Sequence, residues 1–155
     1  MGHHISAIVC KPSAGAERVS EFDLSLIRAG EFVIVPMNAN HSDYWADQLD
    51  IGFGNSHSEV TIDRSFAHYV AAMITEGDYA LVETDYFGGA GDQASAVYRK
   101  GRDLPLFASD RVPHGAINEA LKVIGVRAEA GADEFDTLGL GAYRNFEEYF
   151  DHYYD

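Results

Sequence analysis

The stretch from residue 78 to residue 101, DYALVETDYFGGAGDQASAVYRKG, constrains the fold of this chain more than any other segment. Both of its ends are rich in aromatic, β-branched and small apolar residues, which favour strands over helices. Three glycines within residues 88–91 lie between these ends and disfavour a helix across the gap. The pattern therefore predicts a central antiparallel hairpin, with strands at 79–87 and 94–100 joined by a glycine-rich loop.

The first strand of this hairpin carries two acidic residues on one face. Side chains alternate between the faces of a strand, so Glu83 and Asp85 point the same way. The glycine-rich loop adds Asp92 and Gln93 at the end of the strand. Carboxylates that share a small apolar site repel each other and acquire separated pKa values, a property used in acid–base catalysis and in binding hard metal ions. The alternative is a half-exposed sheet face on which the carboxylates pair with arginines of the same hairpin.

Apolar periodicity and capping signals predict the other elements. Helices are predicted near residues 14–22, 42–49, 63–76, 114–124 and 145–153. Strands are predicted at 5–10, 31–36 and 103–108. Asn40 or Ser42 is the expected cap of the second helix, and Asp63 is the expected cap of the third. Together these elements predict a single α+β domain over residues 1–155, with a mixed, mostly antiparallel sheet built around the hairpin.

The chain is strongly acidic, with 11 lysines and arginines against 25 aspartates and glutamates and a formal net charge of −14. This charge argues against binding of nucleic acid or of an anionic membrane through a basic surface. It suits solubility, a basic protein partner or a metal ion. No apolar run reaches the roughly 18 residues of a membrane-spanning segment, which predicts a cytoplasmic protein. The lone Cys10 excludes an internal disulfide and is expected in the core.

The sequence holds no established catalytic or metal-binding motif. Its seven histidines do not form the spacing of a zinc site, and no Gly-x-Ser-x-Gly nucleophile motif occurs, so no metal or cofactor is predicted. A small enzyme or metal-binding protein is the alternative hypothesis, and its site would consist of Glu83, Asp85 and Asp92. Folding would bring His68 or His114 to these carboxylates.

The C-terminal tail combines aromatic and acidic residues. Tyr149 and Tyr153 lie there among aspartates and glutamates. This composition predicts either a helix that covers the core or a surface that binds a partner. A homodimer formed through the tail is a third hypothesis.

Three motifs in the C-terminal half carry a resemblance to other proteins. They are residues 83–89 with Gly91 and Gln93, residues 117–121 with Gly125 and Val126, and residues 133–135 with 139–141 and Arg144. Together they resemble small uncharacterised bacterial proteins, some of which are similar to immunity proteins that neutralise a toxin. The resemblance implies a non-enzymatic inhibitor and assigns no catalytic residue.

The leading hypothesis is a non-enzymatic, acidic binding protein that masks a basic partner such as a nuclease toxin. The expected binding residues are Asp92, Gln93, Tyr149 and Tyr153. Attraction between opposite charges would make association fast at low salt and slower at high salt.

Overall fold

The computed structural model describes residues 3–52, 60–87, 90–98, 106–110, 115–140, 146 and 150. Its strands are β1 (His3–Cys10), β2 (Ile27–Ala29), β3 (Phe32–Pro36), β4 (Tyr79–Phe87), β5 (Ala90–Tyr98) and β6 (Leu106–Asp110). Its α-helices are α1 (Ala39–Leu49), α2 (Ser65–Ile74), α3 (Gly115–Val123) and α4 (Glu134–Thr137), and a 3₁₀ helix covers Ala16–Phe22. The strands form one sheet in the order β2-β3-β1-β4-β5-β6, and each described pair of neighbours is antiparallel. The predicted α+β fold is confirmed.

The two strands in the middle of the sheet, β1 and β4, are buried on both faces. Residues 7–10 of β1 and 80–82 of β4 are fully buried. A strand that is covered on both sides needs apolar side chains on both, which explains these continuous apolar runs. Cys10 is one of the core residues, as expected, and burial raises the pKa of its thiol to about 12. It therefore stays a protonated, unreactive thiol at neutral pH.

Alternation along β4 defines two faces of the sheet. Tyr79 and Glu83 lie on the face that α2 covers, since His68 of α2 contacts Tyr79. On the opposite face α3 packs against β5, where the Ser95 hydroxyl donates to the Ala116 carbonyl at 2.9 Å. We call these the α2 face and the α3 face. The 3₁₀ helix and α1 both contact α2, and with it they form the helical layer on the α2 face.

The predicted hairpin is present, with a shorter connection than expected. Phe87 pairs with Ala90, so two residues join the strands in place of the predicted loop 88–93. Backbone hydrogen bonds to β4 outweigh the weak strand preference of this glycine-containing segment. Glu83 and Asp85 lie on the same face, as predicted, and β5 places Asp92 directly opposite Asp85.

The second predicted helix begins earlier than expected because a different residue caps it. Asn38 is the cap of α1, and its side chain accepts a hydrogen bond from the backbone N–H of His41 at 3.0 Å. The expected caps, Asn40 and Ser42, lie inside the helix.

The third predicted helix begins two residues late, at Ser65, because its expected cap is used elsewhere. The carboxylate of Asp63 accepts hydrogen bonds from His68 and from the hydroxyl of Tyr98. A side chain that is committed to tertiary contacts does not cap the helix that follows it.

The remaining helices agree in part with the sequence analysis. The predicted stop of α3 is confirmed: Gly125 has φ of +102°, and the N–H of Val126 bonds the carbonyl of Leu121 at 2.9 Å. The segment 14–22 forms the 3₁₀ helix, while α4 was not predicted. The predicted helix 145–153 lies outside the described residues except for Phe146 and Phe150, which are buried and not helical.

Candidate functional site

A pocket of about 280 Å³ opens beside Glu83 on the α2 face. It lies where the start of β1 meets the start of α1 and the loop before α2. Its lining consists of His4, Ile5, Ser6, Met37, Asn38, Ala39, Asn40, Thr61, Ile62, Glu83, Phe146 and Phe150. We call this cavity the Glu83 pocket.

Three hydrogen bonds fix the carboxylate of Glu83. The hydroxyl of Ser6 donates to Oε1 at 3.0 Å, and the backbone N–H of Thr61 donates to the same oxygen at 3.2 Å. The hydroxyl of Thr61 also donates to Oε1. These bonds hold the side chain in one orientation at the wall of the pocket. Glu83 is therefore a member of the predicted acidic group that lines a cavity.

The described side chain of Asp85, the second predicted carboxylate on this face, lies elsewhere. Asp85 is 76% exposed, with Oδ1 3.6 Å from Nδ1 of His4, and it does not line the Glu83 pocket. The side chain of Asp92 lies outside the described residues, although its backbone pairs with Asp85. Glu83 and Asp85 therefore lie on the same face of β4 but in different environments.

His68, which the enzyme hypothesis places with these carboxylates, belongs to a different cluster. Its Nε2 lies 2.6 Å from Oδ1 of Asp63, and its Nδ1 lies 2.6 Å from the hydroxyl of Tyr79. The hydroxyl of Tyr98 bonds both carboxylate oxygens of Asp63, at 2.7 and 2.9 Å. The two tyrosine rings are stacked, with 5.4 Å between their centroids. We call Asp63, His68, Tyr79 and Tyr98 the Asp63 cluster.

The donors and acceptors of the Asp63 cluster follow from its chemistry. A carboxylate only accepts, so we assign a hydrogen to Nε2 of His68, which donates to Asp63. In a neutral imidazole Nδ1 then accepts from the hydroxyl of Tyr79. Asp63 has no solvent-exposed surface. The cluster therefore ties α2 to β4 and β5 through a buried charge with hydrogen-bonding partners.

Both tyrosines of the Asp63 cluster resist ionisation. Burial, reinforced by the negative charge of Asp63, raises the pKa of Tyr79 to about 12. Burial also raises the pKa of Tyr98, and its hydrogen bond to Asp63 raises it further. A phenolate in either position would lie beside a buried carboxylate, which like-charge repulsion disfavours.

These raised pKa values predict a loss of stability at alkaline pH. Tyrosine in the unfolded chain titrates near pH ~10, so above that pH the unfolded chain releases protons that the folded chain keeps until about pH 12. The free energy of unfolding should fall as pH rises through this window. Urea unfolding at about pH 9 and about pH 11 measures the fall. Tyr79→Phe should make this fall smaller, whereas Tyr44→Phe, at an exposed tyrosine, should leave it unchanged. An equal fall in the two variants would show that the pKa of Tyr79 is not its cause.

Gln93, an expected binding residue, is buried and used within the fold. Its Oε1 accepts a hydrogen bond from the backbone N–H of Ile117, near the start of α3, at 2.9 Å. The other expected site residues, His114, Tyr149 and Tyr153, lie outside the described residues. Ser6 and Thr61 are contact residues that the sequence did not indicate, and Asp63 was expected only as a helix cap.

A third feature is an exposed aromatic and acidic surface on the α2 face. Tyr44, Tyr69 and Ile51 are the large hydrophobic side chains with the greatest exposure among those described, at 48%, 42% and 36%. Rings connect two of them: Tyr44 contacts Trp45, Trp45 contacts Phe22, and Phe22 contacts Tyr69, with centroid distances of 5.5, 5.3 and 5.8 Å.

Carboxylates flank this aromatic run. Tyr44 and Asp47 are three residues apart and lie on the same exposed side of α1, Asp50 ends the helix, and Ile51 follows it. Asp43 is partly exposed and lies 3.3 Å from Arg64. We call Asp43, Tyr44, Asp47, Asp50, Ile51 and Tyr69 the α1 surface.

In the described part of the chain, no group of three or more histidine, cysteine, aspartate or glutamate side chains is arranged to hold a metal ion. None of the helices in the described ranges has the length and apolar character needed to cross a membrane. Comparisons with protein-family models, with curated proteins and with solved structures gave no match.

Proposed function

We propose that this chain is a non-enzymatic binding protein that masks a basic protein partner in the cytoplasm, as an immunity protein does. The α1 surface is the observation that carries the proposal. It combines exposed aromatic and aliphatic side chains with carboxylates, on a chain whose net charge is −14. Tyrosines that are exposed in the free protein and buried in the complex commonly contribute much of the binding energy.

The two kinds of side chain would have different roles in this binding. Tyr44, Ile51 and Tyr69 would lose exposed apolar area in the complex, which stabilises it. Asp47 and Asp50 would attract a positively charged partner and speed its encounter. The apolar side chains would therefore set the dissociation rate, and the carboxylates would set the association rate.

The partner can be isolated and the proposal tested in two steps. Immobilised protein is exposed to an extract of the native host, and a protein that the wild type retains and Tyr44→Ala loses is purified. Its association rate with the wild type is then measured from about 20 mM to about 300 mM NaCl. We expect a basic protein whose association rate falls about tenfold over this range, and a Kd raised about tenfold by Tyr44→Ala.

A charge-matched pair of variants locates the effect. Asp47→Asn removes one charge from the α1 surface, while Glu119→Gln removes one from exposed α3, on the other side of the sheet. Only Asp47→Asn should slow association. An association rate that ignores salt, or equal effects of the two variants, would refute the proposal.

A further inference from the structure

We infer that the Glu83 pocket binds a primary ammonium or guanidinium group at the end of a short aliphatic chain. The pocket is built from residues other than those of the α1 surface, so this inference does not depend on the proposed function. It rests on the orientation of one carboxylate, on the nature of the pocket walls and on the size of the cavity.

The carboxylate of Glu83 is held in an orientation that lets it accept hydrogen bonds from a ligand. Its three described hydrogen bonds, from Ser6 and Thr61, all reach Oε1, and none of them reaches Oε2. A carboxylate accepts hydrogen bonds and carries negative charge, so its best partner is a cationic N–H donor. Because the side chain is already fixed, little conformational entropy is lost when a ligand binds.

The described residues that line the pocket include no lysine or arginine that would neutralise Glu83. Besides Glu83, the titratable side chain among the described lining residues is His4, whose imidazole also lies 3.6 Å from Asp85. Asn38 and Asn40 add uncharged amides. The described lining is therefore suited to a cation supplied from outside.

The walls suit an aliphatic chain next to that cation. Phe146 and Phe150 are buried aromatic rings at the pocket, and Ile62 adds apolar surface. The ring of Phe150 packs edge-on against His41, with 5.1 Å between centroids, which holds this wall in place. Aromatic faces attract ammonium and guanidinium groups, and the attraction is larger away from water.

The volume limits the ligand. At about 280 Å³ the cavity lies just below the range of roughly 300–1,000 Å³ that is usual for small-molecule sites. It can take a short diamine, a molecule such as agmatine, or the side chain of one lysine or arginine from another protein. All of these share the same terminal group.

Titrations with defined probes test the inference. Agmatine, putrescine and n-butylamine are added to the full chain, with n-butanol as the uncharged counterpart, and backbone amide NMR signals are followed. We expect saturable shifts at Ser6, Thr61 and Glu83 with the amines below about 20 mM and none with n-butanol. Glu83→Gln should weaken the binding of agmatine about tenfold, and the same substitution at exposed Glu119 should leave it within about twofold.

A second variant keeps the test decisive if Glu83→Gln does not fold. Asn40→Trp changes an exposed position at the pocket, leaves Glu83 in place and fills the cavity, so it should also weaken binding about tenfold. A blocked Gly-Arg-Gly peptide distinguishes the source of the cation. Affinity equal to that of agmatine indicates a protein side chain, and affinity about tenfold lower indicates a free small molecule.

Three outcomes would overturn the inference. One is the absence of saturable shifts with every amine, and another is equal affinity for n-butylamine and n-butanol. The third is agmatine affinity that neither Glu83→Gln nor Asn40→Trp changes. None of these results bears on the α1 surface, whose test uses a protein partner and the variants of Tyr44 and Asp47.

Discussion

Replacing Asp63 with alanine is expected to lower the free energy of unfolding by about 3–5 kcal/mol, the usual cost of removing one partner from a buried, charged hydrogen-bond network. Asp63 is fully buried and accepts from Nε2 of His68 at 2.6 Å. It also accepts from the hydroxyl of Tyr98. Alanine would leave both donors without this acceptor. Urea unfolding, followed by the fluorescence of Trp45, measures the change.

Two further variants show whether the cost belongs to the network. Asp63→Asn keeps the shape and one acceptor oxygen, so its cost should be intermediate, about 1–3 kcal/mol. Asp43→Ala removes a partly exposed carboxylate 3.3 Å from Arg64 and should cost less than about 1 kcal/mol. If Asp63→Ala lowers the free energy of unfolding no more than Asp43→Ala does, the Asp63 cluster does not stabilise the fold. A role in binding would then have to account for the arrangement of its four residues.

The Asp63 cluster also shows which parts of the fold can be predicted from sequence. Continuous apolar strands such as β1 and β3 are visible because covered strands need apolar residues on both faces. The start of α2 cannot be predicted from a local pattern of this kind. Its expected cap, Asp63, bonds Tyr98, which is 35 residues away and reaches it only through the pairing of β5 with β4. Helix boundaries therefore depend on contacts that local patterns do not contain.

The candidate site has the same division between local and long-range information. Alternation along β4 predicts correctly that Glu83 and Asp85 share a face. What distinguishes them is their neighbours: Ser6 comes from 77 residues away, and Thr61 from 22. A sequence motif would need fixed spacing to reveal such a set, and this set has none. The pocket could be found only after β1 was placed beside β4.

Gln93 is a residue whose role changes once the strand register is known. It is polar and follows the glycines of the hairpin, so the sequence analysis places it in an exposed loop. In the structure it lies within β5, opposite Thr84, on the α3 face. Its amide oxygen satisfies one of the backbone N–H groups at the start of α3, which have no partner within the helix. The residue therefore connects the sheet to a helix.

Replacing Gln93 with alanine is therefore expected to destabilise the protein by about 2–4 kcal/mol, because a buried N–H loses its acceptor and a small cavity remains. Urea unfolding measures the loss of stability. In hydrogen exchange, Gln93→Ala should accelerate exchange of the Ile117 amide more than exchange of the amides in α2. Gln48→Ala, the same substitution at an exposed position of α1, should change stability by less than about 0.5 kcal/mol. A Gln93→Ala protein as stable as Gln48→Ala would mean that Gln93 does not anchor α3.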